Sequence, residues 1–297
     1  MTPNSRLPFV CAAWLCVVSA PNSSAAQYPA VQVTHNHNDA PSFSPDGRRM
    51  VAITMVDGVE QLAILSITGE ELTRLTRDTF SHEDPAWSPD GRHITYISFA
   101  DSGEVVHVMD ADGTHDRALS PKTQKAIHPV WSPDGTTIWY CTDDDLHPPL
   151  KNTSEIYTID FERGGPPTLV VAGGVNTYPK PSPDGRHLAF RRMIEDTNSE
   201  VFVSDMDGRN AHNLTNSPAF DGWPEWSPDS RRIAFASNPA GNHKIYVMNA
   251  DGSNVRLVAD SPGRGTAPQW SRDGKTIFFT ICQRNIGCEI YSAPAPR

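Results

Sequence analysis

Near the start of the sequence His35, His37 and Asp39 alternate with Asn36 and Asn38. In an extended chain alternate side chains point the same way, so both imidazoles and the carboxylate fall on one side. Imidazole and carboxylate are ligands for a divalent cation. Further along stand His82, Glu83 and Asp84, and then His128. The repeat described below puts these at equivalent places, so His35, His37, Asp39 and His82 form a candidate site for a divalent cation in a central channel. A polar loop whose histidines face water is the other reading, and the spacing matches no closed zinc pattern.

Other chemistry is sparse. The sequence has no Gly-x-Ser-x-Gly elbow and no His-Glu-x-x-His helix motif. Asp110–Gly113 and Asp205–Gly208 resemble calcium loops but lack the third acidic position and the distal Glu, so they read as hairpin turns. Cys282 and Cys288 flank a short loop between two strand-like runs, where a disulfide would pin the hairpin in an oxidising compartment. Cys141, within a strand-like run, reads as a small buried residue.

The elements that must position these residues come from an internal repeat. Six segments share a Pro-x-aromatic-Ser-Pro-Asp-Gly frame: PSFSPDG, PAWSPDG, PVWSPDG, PKPSPDG, PEWSPDS and PQWSRDG. Their serines are Ser44, Ser88, Ser132, Ser182, Ser227 and Ser271, spaced 44, 44, 50, 45 and 44 residues apart. That period is the length of a four-stranded propeller blade. The aromatic can wedge between neighbouring sheets, and Ser-Pro-Asp-Gly is a turn. Alternating apolar residues follow each turn, as in Ile94/Tyr96 and Ile233/Phe235, and mark a strand. The expected fold is all-β: a six-bladed β-propeller of four-stranded antiparallel blades spanning residues 27–297. The last unit stops after its third strand, whereas Val31–Thr34 looks like a fourth strand. The N-terminal strand is therefore expected to pair with the C-terminal blade and close the ring.

The first 26 residues read as a signal peptide. Arg6 precedes a 14-residue apolar run, Leu7–Ala20, and Ser24, Ala25 and Ala26 offer a cleavage site. The expected location is periplasmic or secreted. A net charge of −10 argues against nucleic acid as a partner. The segment 143–150 lengthens the third unit with acidic residues and prolines, and reads either as a partner-reading loop or as a solvated insertion.

These frames resemble the TolB-like propellers, WD-repeat-like units marked by the Ser-Pro-Asp-Gly turn, over about residues 31–297. The resemblance implies an envelope location and an envelope protein or lipoprotein segment as partner, bound by a monomer. It does not extend to the α/β domain that precedes the propeller in full-length TolB, because Gln27–Thr34 is too short for one. In a propeller, loops entering the innermost strands ring one mouth of the channel. The residues before each frame proline are thus the expected binding surface, with Glu83, Asp84, His128, Tyr178, Asp221 and Trp223 as contacts. Acids and aromatics around a concave mouth suit a basic or amphipathic segment, or a saccharide. The alternative function is a lyase or hydrolase acting on a saccharide with a metal or histidine at the channel.

Overall fold

A computed structural model of the chain describes residues 28–100, 103–142, 153–195 and 198–296. The segment 1–26 read as a signal peptide, with Cys11 and Cys16, and the segment 143–150 lie outside the described residues.

Each repeat unit folds as one antiparallel sheet whose strands follow chain order outward from the axis. The innermost strands are Asn38–Phe43, His82–Trp87, Ala126–Trp131, Asn176–Pro181, Asp221–Trp226 and Arg264–Trp270. Each begins before its frame proline and runs through it, so the residues ahead of the proline belong to the sheet. The all-β fold is a six-bladed propeller of four-stranded blades. The sixth blade takes its outer strand from the front of the chain: Val31 pairs with Ser292 and Gln32 with Tyr291. Val33 N–H then donates to Ile290 O, and Thr34 Oγ1 both donates to Glu289 Oε2 (2.7 Å) and accepts from Ile290 N–H (2.9 Å). This closure leaves the last blade no open outer edge at that position.

The frame explains both the turns and the seams. In every unit the serine hydroxyl donates to the aspartate two residues on, as Ser44 to Asp46 (2.6 Å) and Ser227 to Asp229 (2.6 Å). The same aspartate accepts a backbone N–H two residues later, as from Arg48 at 3.0 Å. The glycine slot is left-handed, with φ of 68° at Gly47, and Ser230 holds the same conformation at 58° in the fifth unit. The frame tryptophans fill the space between blades. Trp131, Trp226 and Trp270 donate Nε1–H to the carbonyls of Ala86, Lys180 and Glu225 in the preceding blade. Trp87 packs into the same kind of seam against Ile53 and Ile64, but its Nε1 has no hydrogen-bond partner. Blade four carries Pro181 where the others carry an aromatic.

Candidate site at the channel mouth

The frame proline is the key to the mouth. The residue before a proline is pushed toward extended backbone by the proline ring. Here all six take a left-handed conformation instead: Ala40 (φ 46°), Asp84 (47°), His128 (53°), Tyr178 (54°), Trp223 (53°) and Ala267 (47°). At each of these points the pairing of the innermost strand with its neighbour slips, as between Glu83 and Ala86 or Gly222 and Glu225. A bulge of this kind re-aims one side chain per strand. Left-handed backbone at a non-glycine residue costs on the order of 1–3 kcal/mol, and the surrounding sheet over-determines it. The six re-aimed residues line one cavity of about 500 Å³.

The side chains divide that cavity into two unlike walls. Blades one and two supply carboxyls. Burial pushes Glu83 up to about 9, reinforced by a hydrogen bond with Glu60 and by the charges of Asp84, Glu60 and Asp39. Glu83 therefore keeps its proton at neutral pH and turns it toward Glu60 in that hydrogen bond. Burial also raises Asp39, against hydrogen bonds from Thr280 and Ala40. Its Oδ1 accepts the Ala40 N–H at 2.6 Å. Asp84 goes the other way. Burial alone would raise it, but the charge and hydrogen bond of His128, with Lys180 beyond, hold it below the ordinary carboxylate value. His128 Nδ1 lies 2.5 Å from Asp84 Oδ2.

Blades three to five supply rings. His128 stacks on Tyr178 at 3.7 Å between centroids, and Tyr178 leans on Trp223 at 5.4 Å. Phe220 and His243 back Trp223 at 5.9 and 5.7 Å. Burial, with Arg264 nearby, lowers His243 to about 4, so its imidazole is neutral at physiological pH. Two guanidiniums brace the wall: Arg191, 1% exposed, lies 4.9 Å from the Tyr178 ring, and the exposed Arg264 lies 5.4 Å from Trp223. One residue past each proline, Lys180 pairs with Glu225 at 2.8 Å and Gln269 donates to the same carboxylate at 3.2 Å.

Of the residues expected from the sequence, Asp39, Glu83, Asp84, His128, Tyr178 and Trp223 line the cavity, and Asp221, His35, His37 and His82 do not. Asp221 is 1% exposed and accepts the Ser217 hydroxyl at 2.8 Å, so it braces blade five. His82 is buried, hydrogen-bonded through Nε2 to Asp78 (3.0 Å) and edge-on to Tyr96. His35 and His37 are exposed in the bend that joins the closing strand Val31–Gln32 to the innermost strand Asn38–Phe43. The ring of His37 lies over Gly287, where an added Cβ would come within 2.2 Å of Nδ1. Among the described residues the ligand-type atoms that converge are those of Asp39, Cys282 and Cys288, all within 4.8 Å of one another. Sequence reasoning missed Glu60, Lys180, Glu225, Arg264 and Gln269. The three residues just past the frame prolines were available from the repeat alignment. Glu60 enters from the Val59–Ser66 strand and carries no repeat signal.

The mouth can hold a cation or a hydroxyl-rich group against its carboxyls, stack a planar group on its rings, and present an imidazole oriented by a carboxylate.

The TolB β-propeller domain family matches residues 18–145 and 99–293. No curated protein sequence matches the chain. Among solved structures, a putative TolB from Agrobacterium tumefaciens is 23% identical with a TM-score of 0.67, over 88% of this chain and 91% of that one. TolB from Acinetobacter baumannii is 18% identical with a TM-score of 0.61, over 74% of this chain and 56% of that one. A gluconolactonase from Xanthomonas campestris is 15% identical with a TM-score of 0.64, over 94% of this chain and 99% of that one. At such identities these likenesses speak to the fold.

Proposed function

The chain belongs to the TolB β-propeller family, and on that footing we propose that it is an exported binding module whose channel mouth receives a segment of an envelope protein. The observation that carries the reading is the bulge before each frame proline. One backbone device, used six times, turns six different side chains onto a single cavity. A scaffold with no ligand has no use for strained backbone at Tyr178 and Trp223. The polarity of the cavity sets the class of segment. Carboxyls of blades one and two favour a basic group, and the Tyr178–Trp223 wall favours an apolar or planar neighbour, so the partner segment is basic and amphipathic. Export is read from residues 1–26, which would be removed as a signal peptide. No helix among the described residues is long and apolar enough to cross a membrane.

A saccharide is the second reading, favoured by the stacked platform of His128, Tyr178 and Trp223, on which a sugar ring can lie.

A photo-crosslinking residue at Ala267, on the mouth, tests the proposal in cells. It should capture one discrete envelope protein, and the captured peptide should carry Lys or Arg. The same group at the exposed Thr136, in a turn at the opposite end of the channel, should not capture it. Equal capture at both positions, or none at Ala267, overturns the protein-segment reading. In the latter case, quenching of tryptophan fluorescence by oligosaccharides, lost in Trp223→Phe, would establish the second.

A further inference from the structure

Cys282 and Cys288 stand directly opposite each other in the hairpin of strands Thr276–Gln283 and Gly287–Pro294, and are joined as a disulfide. The backbone ladder already pins these strands over their full length, from Thr276–Pro294 to Gln283–Gly287. The bond thus adds no connection that the sheet lacks. Its location has another meaning. Cys282 is a wall residue of the mouth cavity, both cysteines are only half-buried, and Arg264 stands across the ladder from Cys282 on its other side. A disulfide open to solvent is one that an incoming thiolate can reach, and a neighbouring cation favours the thiolate that departs. Asp39 completes the picture, since its carboxylate lies within 4.8 Å of both sulfurs.

We propose that Cys282–Cys288 is a reducible disulfide, and that its dithiol form together with Asp39 is a three-ligand zinc site whose fourth position opens on the channel mouth. Zinc suits the donor set: thiolates are soft ligands, and a tetrahedral ion takes Zn–S of about 2.3 Å and Zn–O of about 2.0–2.2 Å. Those lengths place the two sulfurs roughly 3.8 Å apart and each about 3.5 Å from the carboxylate oxygen. The carboxylate is already within 4.8 Å of both sulfurs, which part from bonding distance when the disulfide is cut. The steps balance. A dithiol reductant gives two electrons and two protons to the disulfide and leaves as its own disulfide. Zn²⁺ then displaces the two thiol protons, and any proton on Asp39, to solvent. The ion also brings positive charge to a wall where Asp39, Glu60 and Glu83 crowd one another. Of the four ligands considered from the sequence, Asp39 alone belongs to this set. The proposal is independent of the segment-binding reading, because metal content is measured without any partner.

The test uses mature protein without a histidine tag, reduced anaerobically with a phosphine, dialysed against Zn²⁺ and analysed for metal. About one zinc per chain is expected after reduction, and less than a tenth of that in the oxidised protein. Cd²⁺ in place of zinc should give a thiolate-to-metal charge-transfer band. Asp39→Asn should weaken zinc binding roughly tenfold or more in chelator competition, and the double variant Cys282→Ser/Cys288→Ser should bind none while keeping the native circular dichroism. Reduced protein that stays folded and takes up no zinc overturns the proposal. So does zinc retained by the double serine variant, zinc indifferent to Asp39→Asn, or unfolding on reduction, which would make the bond a structural staple.

Discussion

The proton that Glu83 holds in the folded mouth makes a demand on stability. Glu83 is pushed from 4.5 to about 9 in the folded chain. Between those values the native state holds one proton more than the unfolded state. Stability must therefore fall as pH rises across this window, at about 1.4 kcal/mol per pH unit. Below pH 4.5 both states are protonated, and above about 9 both are ionised, so the dependence flattens at each end. From pH 6 to pH 8 the cost is on the order of 3 kcal/mol for this one group. Glu83→Gln removes the titration and keeps an N–H donor for Glu60. Urea unfolding of wild type and variant at pH 6, 7 and 8 isolates the effect, because every other titrating group is common to both. The variant should gain on wild type by about 1.4 kcal/mol for each pH unit. Parallel profiles would refute the reasoning, and would mean that a counter-charge or water lets Glu83 ionise in the native mouth.

Three further outcomes follow from single contacts. Asp84→Asn should cost about 2 kcal/mol at pH 7 in urea unfolding, the worth of a hydrogen bond to a charged carboxylate. Because Asp84 is held low, the wild-type advantage should persist above the ordinary value of 3.8 and disappear as pH falls below it. Thr34→Val leaves the Ile290 N–H unpaired and takes from the buried Glu289 carboxylate one of its two hydrogen bonds, the other coming from His37 N–H, and should cost about 2 kcal/mol, whereas Thr73→Val, on an exposed outer strand, should be near neutral in the same assay. Trp226→Phe should cost about 1 kcal/mol more than Trp87→Phe, since both fill seams but only Trp226 donates Nε1–H across its seam; equal losses would show that the bond across the seam contributes nothing.

The propeller was legible because each blade repeats the same local physics. Ser-Pro-Asp-Gly forces a turn wherever it occurs, and an apolar alternation after it can only be a strand with a buried face. Ring closure was legible for the same reason: Val31–Thr34 supplied the strand that the sixth unit lacked. The mouth was legible in position and less so in content. Counting back from each frame proline finds Asp84, His128, Tyr178 and Trp223, but not which way a neighbour points. Asp84 stands one residue before its frame proline, at the left-handed position that faces the cavity, whereas Asp221 stands three before its own, at the place His82 holds in blade two, and is buried against Ser217. That left-handed turn opposes the usual bias of a residue before proline, so local propensity gave no warning of it. Glu60 and Arg264 reach the cavity through packing between strands far apart in the chain, which no spacing encodes. His35 and His37 looked like ligands because they alternate, but alternation orients side chains only in a strand, and these two sit in an exposed bend that does not line the cavity.

The seam between the first and last parts of the chain also governs the order of assembly. Thr34 finds its partner carboxylate 255 positions later, so five blades can be complete while the sixth still waits for both of its contributors. Loop closure over so long a span costs little more than over a few dozen residues, since the penalty grows with the logarithm of length. Joining these two ends is a latch on the ring, and opening it exposes the sixth blade alone while the other five keep all their strands.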